Sequence, residues 1–362
     1  MAADTATERI AIAPYEPGAD LTLATYLASW PGETTPVSVW RQRIAHWWTS
    51  NPYCRADTPR GFTLAIDGRL VGFFGLVPMG FQLDGRDVVA FASTTWRVDE
   101  SARHRSLAAL SQVLRAVRHS LLFVWTGTEP LVKILEALKF QRVPRPACFF
   151  GRQQTTALIR PGRVLATMTT PLARVPGEIV RVHTDTARLL ARLEGRGYSA
   201  RRIDRASDEV DDFWARTRVH CPNTIPRDAT FLNWHCFGGG PVEKWLYACW
   251  HGSLMVGLLV GCIKDARGLR VLDCADVWID PAHPRALGAL FSRAMSDAAQ
   301  KTGADVVELP QYSPEISRFA RRIGLLPRAI DDRTELVMAP APAIDSLRAA
   351  SGFTGLFGDR YL

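Results

Sequence analysis

Cysteine is scarce in this sequence, and its spacing is irregular. The seven cysteines include no Cys-x-x-Cys pair. A zinc site could be drawn from His220-Cys221, His235-Cys236, Cys249 and His251, but these spacings fit no zinc motif. An odd number of cysteines, in a chain whose first residues are polar and acidic, predicts reduced thiols in a cytoplasmic protein without a secretory signal. We therefore expect neither a metal nor a disulfide framework.

Long apolar runs are also missing. The two longest, Leu70 to Phe81 and Leu254 to Ile263, are too short to cross a bilayer. Runs of this length are typical of buried strands. The sequence therefore predicts no transmembrane segment.

Lysine contributes little to the positive charge. Only five of the 44 basic residues are lysines, and the net charge is +8. This excess of positive charge suits a polyanionic ligand, a nucleic acid or an acidic membrane surface. No basic run has interleaved aromatic residues, the pattern that favours nucleic-acid binding. A nucleic-acid partner is therefore not expected, although the positive charge does not exclude binding to tRNA.

The length and composition predict a globular protein of two domains, with 362 residues, 47% of them hydrophobic and 22% charged. One pattern occurs twice: a hairpin, a long strand, an amphipathic helix, a short strand and a last helix. Corresponding points lie at a nearly constant offset: Gly68 and Gly252, Val98 and Ile279, Leu138 and Ile323. We interpret this as an internal duplication. The alternative is two unrelated α/β domains, because short apolar patterns recur easily.

The predicted fold class is mixed α/β, with a mostly antiparallel sheet and flanking helices in each of two tandem domains. The predicted halves are residues 1–155 and 196–362, joined by a connecting segment at 156–195 that is rich in Pro-Gly signals. If the duplication is real, the long strands Val88–Val98 and Val271–Ile279 occupy the same place in their two sheets.

The join between a strand and a helix around Val98 is the most informative stretch. The residues from Val88 to Trp96 favour a strand, and those after Ser106 have helical apolar spacing. Between them lies the polar turn Arg103-His104-Arg105-Ser106. A helix N-terminus has free N–H groups and a dipole that favours negative charge, and arginines add forked donors. The turn therefore predicts an anion site suited to a diphosphate, with a solvated basic helix start as the alternative.

These residues resemble the acyl-CoA-binding turn of the GNAT N-acetyltransferase superfamily, whose pattern is Val-x-Pro followed by Arg-x-x-Gly-x-Gly/Ala. Val98, Arg103 and Ala108 match it, whereas Glu100 replaces the proline and Ser106 the central glycine. In addition, Leu138-Lys139-Phe140 resembles the Leu-Gly-Phe that closes the last helix of the family.

The resemblance implies tandem GNAT-like domains that use acetyl-CoA or another acyl-CoA as co-substrate. It assigns eight residues to this co-substrate: Trp96, Val98, Arg103, His104, Arg105, Ser106, Leu107 and Ala108. In the second half, Arg285-x-x-Gly288 is one residue out of register, and Pro284, which has no N–H, aligns with Arg103. We therefore expect the first half to bind acyl-CoA and the second to be degenerate.

The acid and base of the reaction are not evident. The family often uses a glutamate on the long strand and a tyrosine in the last helix, but here Ser93-Thr94-Thr95 and Leu135 occupy those places. The catalytic candidates are Glu129, Asp276 and Tyr312. Each has another interpretation: a helix-start acid, a partnered strand carboxylate and a turn residue, respectively.

The sequence thus predicts a GNAT-type N-acyltransferase that moves an acyl group from acyl-CoA to an amine of a small-molecule acceptor, of sugar or amino-acid type. Two alternatives stay open. One is an aminoacyltransferase of the peptidoglycan type that uses aminoacyl-tRNA, which the basic charge permits. The other is a non-catalytic GNAT-like scaffold, which the missing acid and base permit. The oligomeric state is not predicted.

Overall fold

The structure is a computed structural model. It describes residues 9–126, 129–143, 153–160, 163–164, 177–266, 268–310, 313–329, 336–349, 351–352, 354–356 and 362. The predicted candidate Tyr312 lies outside the described residues.

The first half alternates helices and strands in the predicted order. Its strands are β1 (Ile10–Pro14), β2 (Gly61–Ile66), β3 (Arg69–Leu83), β4 (Arg86–Val98), β5 (Leu121–Thr126), β6 (Phe140–Arg142) and β7 (Gln153–Leu158). Its helices are α1 (Asp20–Ala28), α2 (Val37–Ile44), α3 (Ser106–Ala116) and α4 (Glu129–Ala137). A π-turn, Ala45–Thr49, extends α2, and a 3₁₀ helix, Glu100–Arg105, precedes α3.

The second half repeats this order after an additional helix, α5 (Gly177–Glu194). Its strands are β8 (Ser199–Ile203), β9 (Asn223–Thr224), β10 (Lys244–His251), β11 (Leu254–Ala266), β12 (Leu269–Ile279), β13 (Val306–Pro310), β14 (Leu326–Ala329), β15 (Leu336–Pro340) and β16 (Ser351–Gly352). Its helices are α6 (Asp208–Thr217), α7 (Ala229–Phe237), α8 (Ala286–Asp297), α9 (Pro314–Arg322) and α10 (Ala341–Ala349).

Tight hairpin turns form at two Asp-Gly pairs. Asp67 and Asp84 have φ of 50°, and the glycines that follow, Gly68 and Gly85, have φ of 79° and 77°. Two successive residues with positive φ are what a tight type I′ turn requires, and Asp-Gly suits both positions. These turns fix the registers of β2 with β3 and of β3 with β4.

The two sheets have the same strand order. The first runs β1-β2-β3-β4-β5-β15-β6, and the second runs β14-β7-β13-β12-β11-β10-β8. Read from its β8 edge, the second sheet places β12 between β11 and β13, as the first places β4 between β3 and β5. The predicted equivalence of the two long strands is confirmed, and so is the mixed α/β fold class.

The halves exchange one strand each. β15 comes from the second half but lies between β5 and β6, where Met338 pairs with Val124 on one side and Arg142 on the other. β7 comes from the first half but lies between β13 and β14 of the second sheet, where Thr156 pairs with Glu308. The predicted boundaries at 155 and 196 did not include this exchange. Pairing between strands so far apart in sequence leaves no local pattern that could reveal it.

A single apolar core joins the sheets. It contains Trp47, Phe73 and Phe123 from the first half together with Phe213 and Phe231 from the second, all less than 2% exposed. The other face of each sheet has its own smaller core beneath helices, with α3 and α4 on the first sheet and α8 and α9 on the second.

At the junction between the halves, aromatic side chains are also joined by hydrogen bonds. The His46 ring stacks on Trp234 with centroids 5.4 Å apart, and Trp234 Nε1 donates to the carbonyl oxygen of His46 at 3.0 Å. Burial holds the pKa of His46 at about 4, so this ring stays neutral at physiological pH. The two halves therefore meet through buried, packed aromatic side chains.

We expect the two halves to unfold together, because exchanged strands and a shared core leave neither sheet complete without the other. Scanning calorimetry should give one transition whose calorimetric and van't Hoff enthalpies agree. Two resolved transitions would show that each half folds independently and would contradict this description.

Candidate functional site

Each sheet opens beside its long central strand. β4 and β5 pair in parallel only from Ala90–Ala92 to Leu121–Phe123, although β4 continues to Val98. β12 pairs with β13 only at residues Val271–Asp273, although β12 continues to Ile279. Beyond these pairs the strands separate, so each half has a cleft between two parallel strands.

A β-bulge lies at each opening. In the first half, Thr94 pairs with Gly75 but Arg97 pairs with Phe73, so Thr95 and Trp96 together face Phe74. In the second half, the register shifts between Val260 and Gly261. Bulges re-aim backbone and side chains next to functional sites, and each of these lies just past the last parallel pair.

The basic turn of the first half is more helical than predicted. The 3₁₀ helix Glu100–Arg105 runs directly into α3, and the N–H of Ser106 donates to the carbonyl oxygen of Arg103. That N–H was expected to face an anion, so one predicted backbone donor is already satisfied. The sequence of this turn does not distinguish an open turn from a 3₁₀ turn, because both have similar dihedral angles.

The predicted co-substrate residues of the turn are brought together at the surface. The Arg103 side chain is 66% exposed, with a weak ion pair to Glu100 at 3.6 Å. His104, Arg105, Leu107 and Ala108 are exposed, and Ser106 is half-buried. The guanidinium groups at the start of α3 are therefore accessible to an anionic ligand.

The strand that leads to this turn is fixed by hydrogen bonds. Trp96 Nε1 donates to the carbonyl oxygen of Gly75 at 3.0 Å, and Val98 is half-buried. Arg97 donates to the carbonyl oxygen of Leu27 at 3.1 Å and to Glu33 at 2.8 Å. Sequence reasoning did not single out Arg97, whose partners come from α1 and the loop after it.

The second half contains a cavity of about 760 Å³ at the corresponding cleft. It extends from the start of α8, at Pro284 and Arg285, along Trp278 on β12 to Arg227 and Thr354. Neither Arg103 nor Arg105 lines it. Sequence reasoning placed the ligand in the other half and did not find this cavity, because side chains from several elements distant in the chain enclose it.

Three close contacts lie around the second cleft. Arg285 donates through Nε to the carbonyl oxygen of Glu194 at 2.9 Å. A Cβ on Gly288 would lie 2.6 Å from the backbone nitrogen of Gly195, so this glycine permits α5 to pack on α8. At the bulge, the N–H of Gly355 donates to the carbonyl oxygen of Ala275 at 2.8 Å. In the second half, Arg285 and the backbone at the bulge are thus already bonded to other parts of the chain.

The candidate Asp276 is a buried ion-pair partner. Its two carboxylate oxygens accept from Nε and Nη2 of Arg227 at 2.8 and 3.0 Å, and both side chains are nearly inaccessible. Arg227 also lies 4.1 Å from the ring centroid of Trp278 and donates to Thr224 and to the carbonyl oxygen of Ile225. Asp276 is therefore the buried charge partner of Arg227, which is a structural role.

The candidate Glu129 is exposed at the start of α4. Its side chain is 75% exposed and pairs with Lys133 at 3.0 Å, one helical turn away. An acid in the first turn stabilises a helix through its dipole. The structure thus gives both described candidates a structural partner, and it does not bring them together with the basic turn of the first half.

A buried polar cluster lies near the junction between the halves. Lys244 Nζ donates to the carbonyl oxygen of His235 at 2.7 Å, and burial lowers the pKa of Lys244. Burial raises the pKa of the nearby Cys236 thiol to about 12. Among the described residues no group of three or more histidines, cysteines or acids is arranged to hold a metal, and no described helix is long and apolar enough to cross a membrane.

Comparison with solved structures identifies the fold. A GCN5-related N-acetyltransferase from Kribbella flavida matches with a TM-score of 0.57 at 14% identity, over 93% of this chain and 73% of that one. A GCN5-related N-acetyltransferase from Anabaena variabilis matches with a TM-score of 0.57 at 8% identity, over 91% of this chain and 72% of that one. The chain has the GNAT fold.

A third match is an N-myristoyltransferase of Saccharomyces cerevisiae with bound myristoyl-CoA. Its TM-score is 0.58 at 10% identity, over 91% of this chain and 78% of that one. No family model matches the sequence, and no curated protein matches it. The GNAT fold in two copies is therefore supported by three-dimensional similarity, with the tandem arrangement that the sequence predicted.

Replacing Asp276 and Glu129, the two catalytic candidates within the described residues, should show which of them has a structural role. Asp276→Asn leaves Arg227 buried without a full charge partner, and breaking a buried pair in this way costs about 3–5 kcal/mol. Glu129→Gln, the matched control, removes only an exposed helical pair and should change the free energy of unfolding by less than about 0.5 kcal/mol. Urea titration measures both. An Asp276→Asn variant of normal stability would contradict the structural role of the ion pair.

Proposed function

We propose that this protein is an acyltransferase that moves an acyl group from acyl-CoA to an amine of a small-molecule acceptor, of sugar or amino-acid type. The observation that carries the proposal is the first cleft, where two parallel strands separate beside a bulge. The strand then leads into a 3₁₀ helix with exposed arginines, directly before α3. An acyl-CoA has a pantetheine arm that fits between separating strands and a diphosphate that suits the helix start.

In this arrangement the diphosphate of the co-substrate lies at the start of α3. The side chains of Arg103 and Arg105 provide charge-assisted hydrogen bonds, which are stronger than neutral ones. Because the 3₁₀ turn already satisfies the Ser106 N–H, these side chains contribute more of the binding than backbone groups do. Trp96 and Val98, at the end of β4, form the adjacent wall of the cleft.

The cleft assists the reaction mainly by alignment. The acceptor amine must be neutral before it attacks the thioester carbon, and a water molecule accepts its proton in the proposed reaction. The C–N bond forms, the C–S bond breaks, and the proton ends on the sulfur of CoA. Holding both reactants in line accounts for much of the rate enhancement that such a site provides.

The cavity of the second half favours another location for the same co-substrate. It is large enough for the pantetheine arm and opens beside the start of α8. Against this location, Arg285 is already bonded to the backbone of Glu194, and Gly355 is bonded at the bulge. We therefore place the reaction in the first half and use charge reversal to decide between the two.

Reversing one charge in the first turn should abolish most of the binding. Arg105→Glu removes a charge-assisted hydrogen bond, which contributes roughly 1.5–3 kcal/mol, and adds repulsion. The affinity for acetyl-CoA should fall at least about 10-fold by the usual conversion. Calorimetric titration measures the change, and circular dichroism should show an unchanged fold because Arg105 is exposed.

The matched control is Arg285→Glu in the second half, which should leave the affinity for acetyl-CoA within a few-fold of the unmodified protein. If Arg285→Glu abolishes binding and Arg105→Glu does not, the reaction belongs to the second cavity. If the unmodified protein binds no acyl-CoA, the acyltransferase proposal is wrong and the aminoacyl-tRNA and scaffold alternatives take its place.

A further inference from the structure

The helix α5, outside both clefts, exposes two leucines on one face. Leu189 and Leu193 are 56% and 53% exposed. Among the exposed large hydrophobic side chains of the described residues, only these two lie four positions apart on one helix. Residues at this spacing are neighbours on a helix surface, so the two side chains form one apolar patch.

Arginines lie beside this patch. Arg188 and Arg192 are one helical turn apart on α5, Arg196 follows the end of the helix, and all three are exposed. Arg188 pairs with Asp185 at 3.2 Å, whereas Arg192 and Arg196 form no ion pair within the described ranges. The exposed face of α5 therefore combines apolar surface with an excess of positive charge.

The opposite face of α5 is fixed to the protein. Ala187 and Ala191 are buried in the core that the second sheet forms with α8 and α9. A Cβ on Gly288 of α8 would lie 2.6 Å from the backbone nitrogen of Gly195, so the end of α5 packs closely there. The exposed leucines therefore lie on a helix that the fold holds in place.

The charge and the size of this surface decide what can cover it. A second copy of the chain would bring arginines against arginines, which is unfavourable. Two half-exposed leucines also provide much less than the roughly 800 Å² per partner of a stable protein interface. A nucleic acid would attract the arginines but leave the leucines in water. An anionic bilayer accommodates both, because its headgroups attract arginine while leucine enters the boundary of the acyl chains.

We propose that the exposed face of α5, formed by Arg188, Leu189, Arg192, Leu193 and Arg196, binds the surface of a bilayer that contains anionic lipids. A helix bound in this way lies in the plane of the interface and does not span the bilayer. The net charge of +8 adds a longer-range attraction to the same surface. This binding goes beyond the proposed acyl transfer and does not depend on it.

Flotation of the full chain with lipid vesicles tests the proposal. The protein should bind vesicles of phosphatidylcholine with about one-third phosphatidylserine, and it should not bind phosphatidylcholine alone. Added salt should weaken the binding because it screens the charges.

Reversing the charges on α5 should weaken this binding. Arg192→Glu with Arg196→Glu should lower the partition coefficient at least about 10-fold, since each basic residue near such a surface contributes about a factor of five. Arg115→Glu with Arg118→Glu is the matched control, because both arginines are exposed, lie at the end of α3, and give the same change in net charge. This control should stay within about 3-fold of the unmodified protein, since its charges do not face the headgroups.

Removing the leucines tests the apolar contribution separately. Leu189→Ser with Leu193→Ser keeps every charge and should lower the partition coefficient about 10-fold. The matched control is Leu21→Ser with Leu138→Ser, whose side chains are 58% and 41% exposed elsewhere, and it should bind as the unmodified protein does. All four variants change exposed side chains, so their stability to urea should match that of the unmodified protein.

Several results would overturn the proposal. The first is a protein that ignores phosphatidylserine vesicles or binds neutral and anionic vesicles alike. The second is an equal loss of binding in the two arginine variants, which would show that the attraction is not localised on α5. Loss in the α5 arginine variant with no loss in the leucine variant would indicate a surface for a polyanion such as a nucleic acid. A leucine variant clearly less stable to urea would show that these leucines pack within the protein.

Discussion

The packing of two sheets through one shared core, completed by an exchanged strand on each side, is the constraint on which the rest of the structure depends. Without β15, β5 and β6 would have unpaired edges inside the first sheet, and the second sheet would have the same gap without β7. Unpaired strand edges with apolar faces are costly and prone to aggregation. Each half therefore needs the other to satisfy its backbone as well as to bury its aromatic side chains.

This constraint explains why a duplicated fold has two different clefts. The faces that pack together are fixed by the shared core, so differences accumulate where the strands separate. In the first half, the helix start after the cleft is exposed and basic. In the second, α5 packs against Gly288, and Gly355 is bonded to Ala275. Arg227, the ion-pair partner of Asp276, lines a cavity that several elements form together.

Much of the fold could be predicted from local patterns. Asp67-Gly68 and Asp84-Gly85 indicate their hairpins because only a few residue types adopt two successive positive φ angles. The strand before Val98 and the helix after Ser106 are evident from their periodicity, and the repeat of this order reveals the duplication. These features depend on residues close together in sequence, which is why a single sequence is enough.

The rest depends on contacts that the sequence does not show. Asp276 was a catalytic candidate with a partnered strand carboxylate as the alternative. Its partner Arg227 lies 49 residues earlier, in the loop before α7, so the sequence does not show which residue pairs with it. The 3₁₀ turn before α3 satisfies a donor that was expected to be free. In the sequence, Thr95 is notable only because the family often has a glutamate on this strand. Its positive φ inside a strand has no sequence signal. The strand exchange pairs strands that are far apart in the sequence, and it likewise has no sequence signal.

Engineered disulfides test the strand exchange most directly. Val124 and Met338 are antiparallel partners, and neighbouring strands bring such pairs to within disulfide distance. The double variant Val124→Cys with Met338→Cys should form a cross-link under mild oxidation, detected by mass spectrometry of its peptides. Val124→Cys with Ala157→Cys should not, because Ala157 pairs with Val307 in the other sheet. A cross-link in the second variant and none in the first would show that each half keeps its own strand, and it would contradict the account.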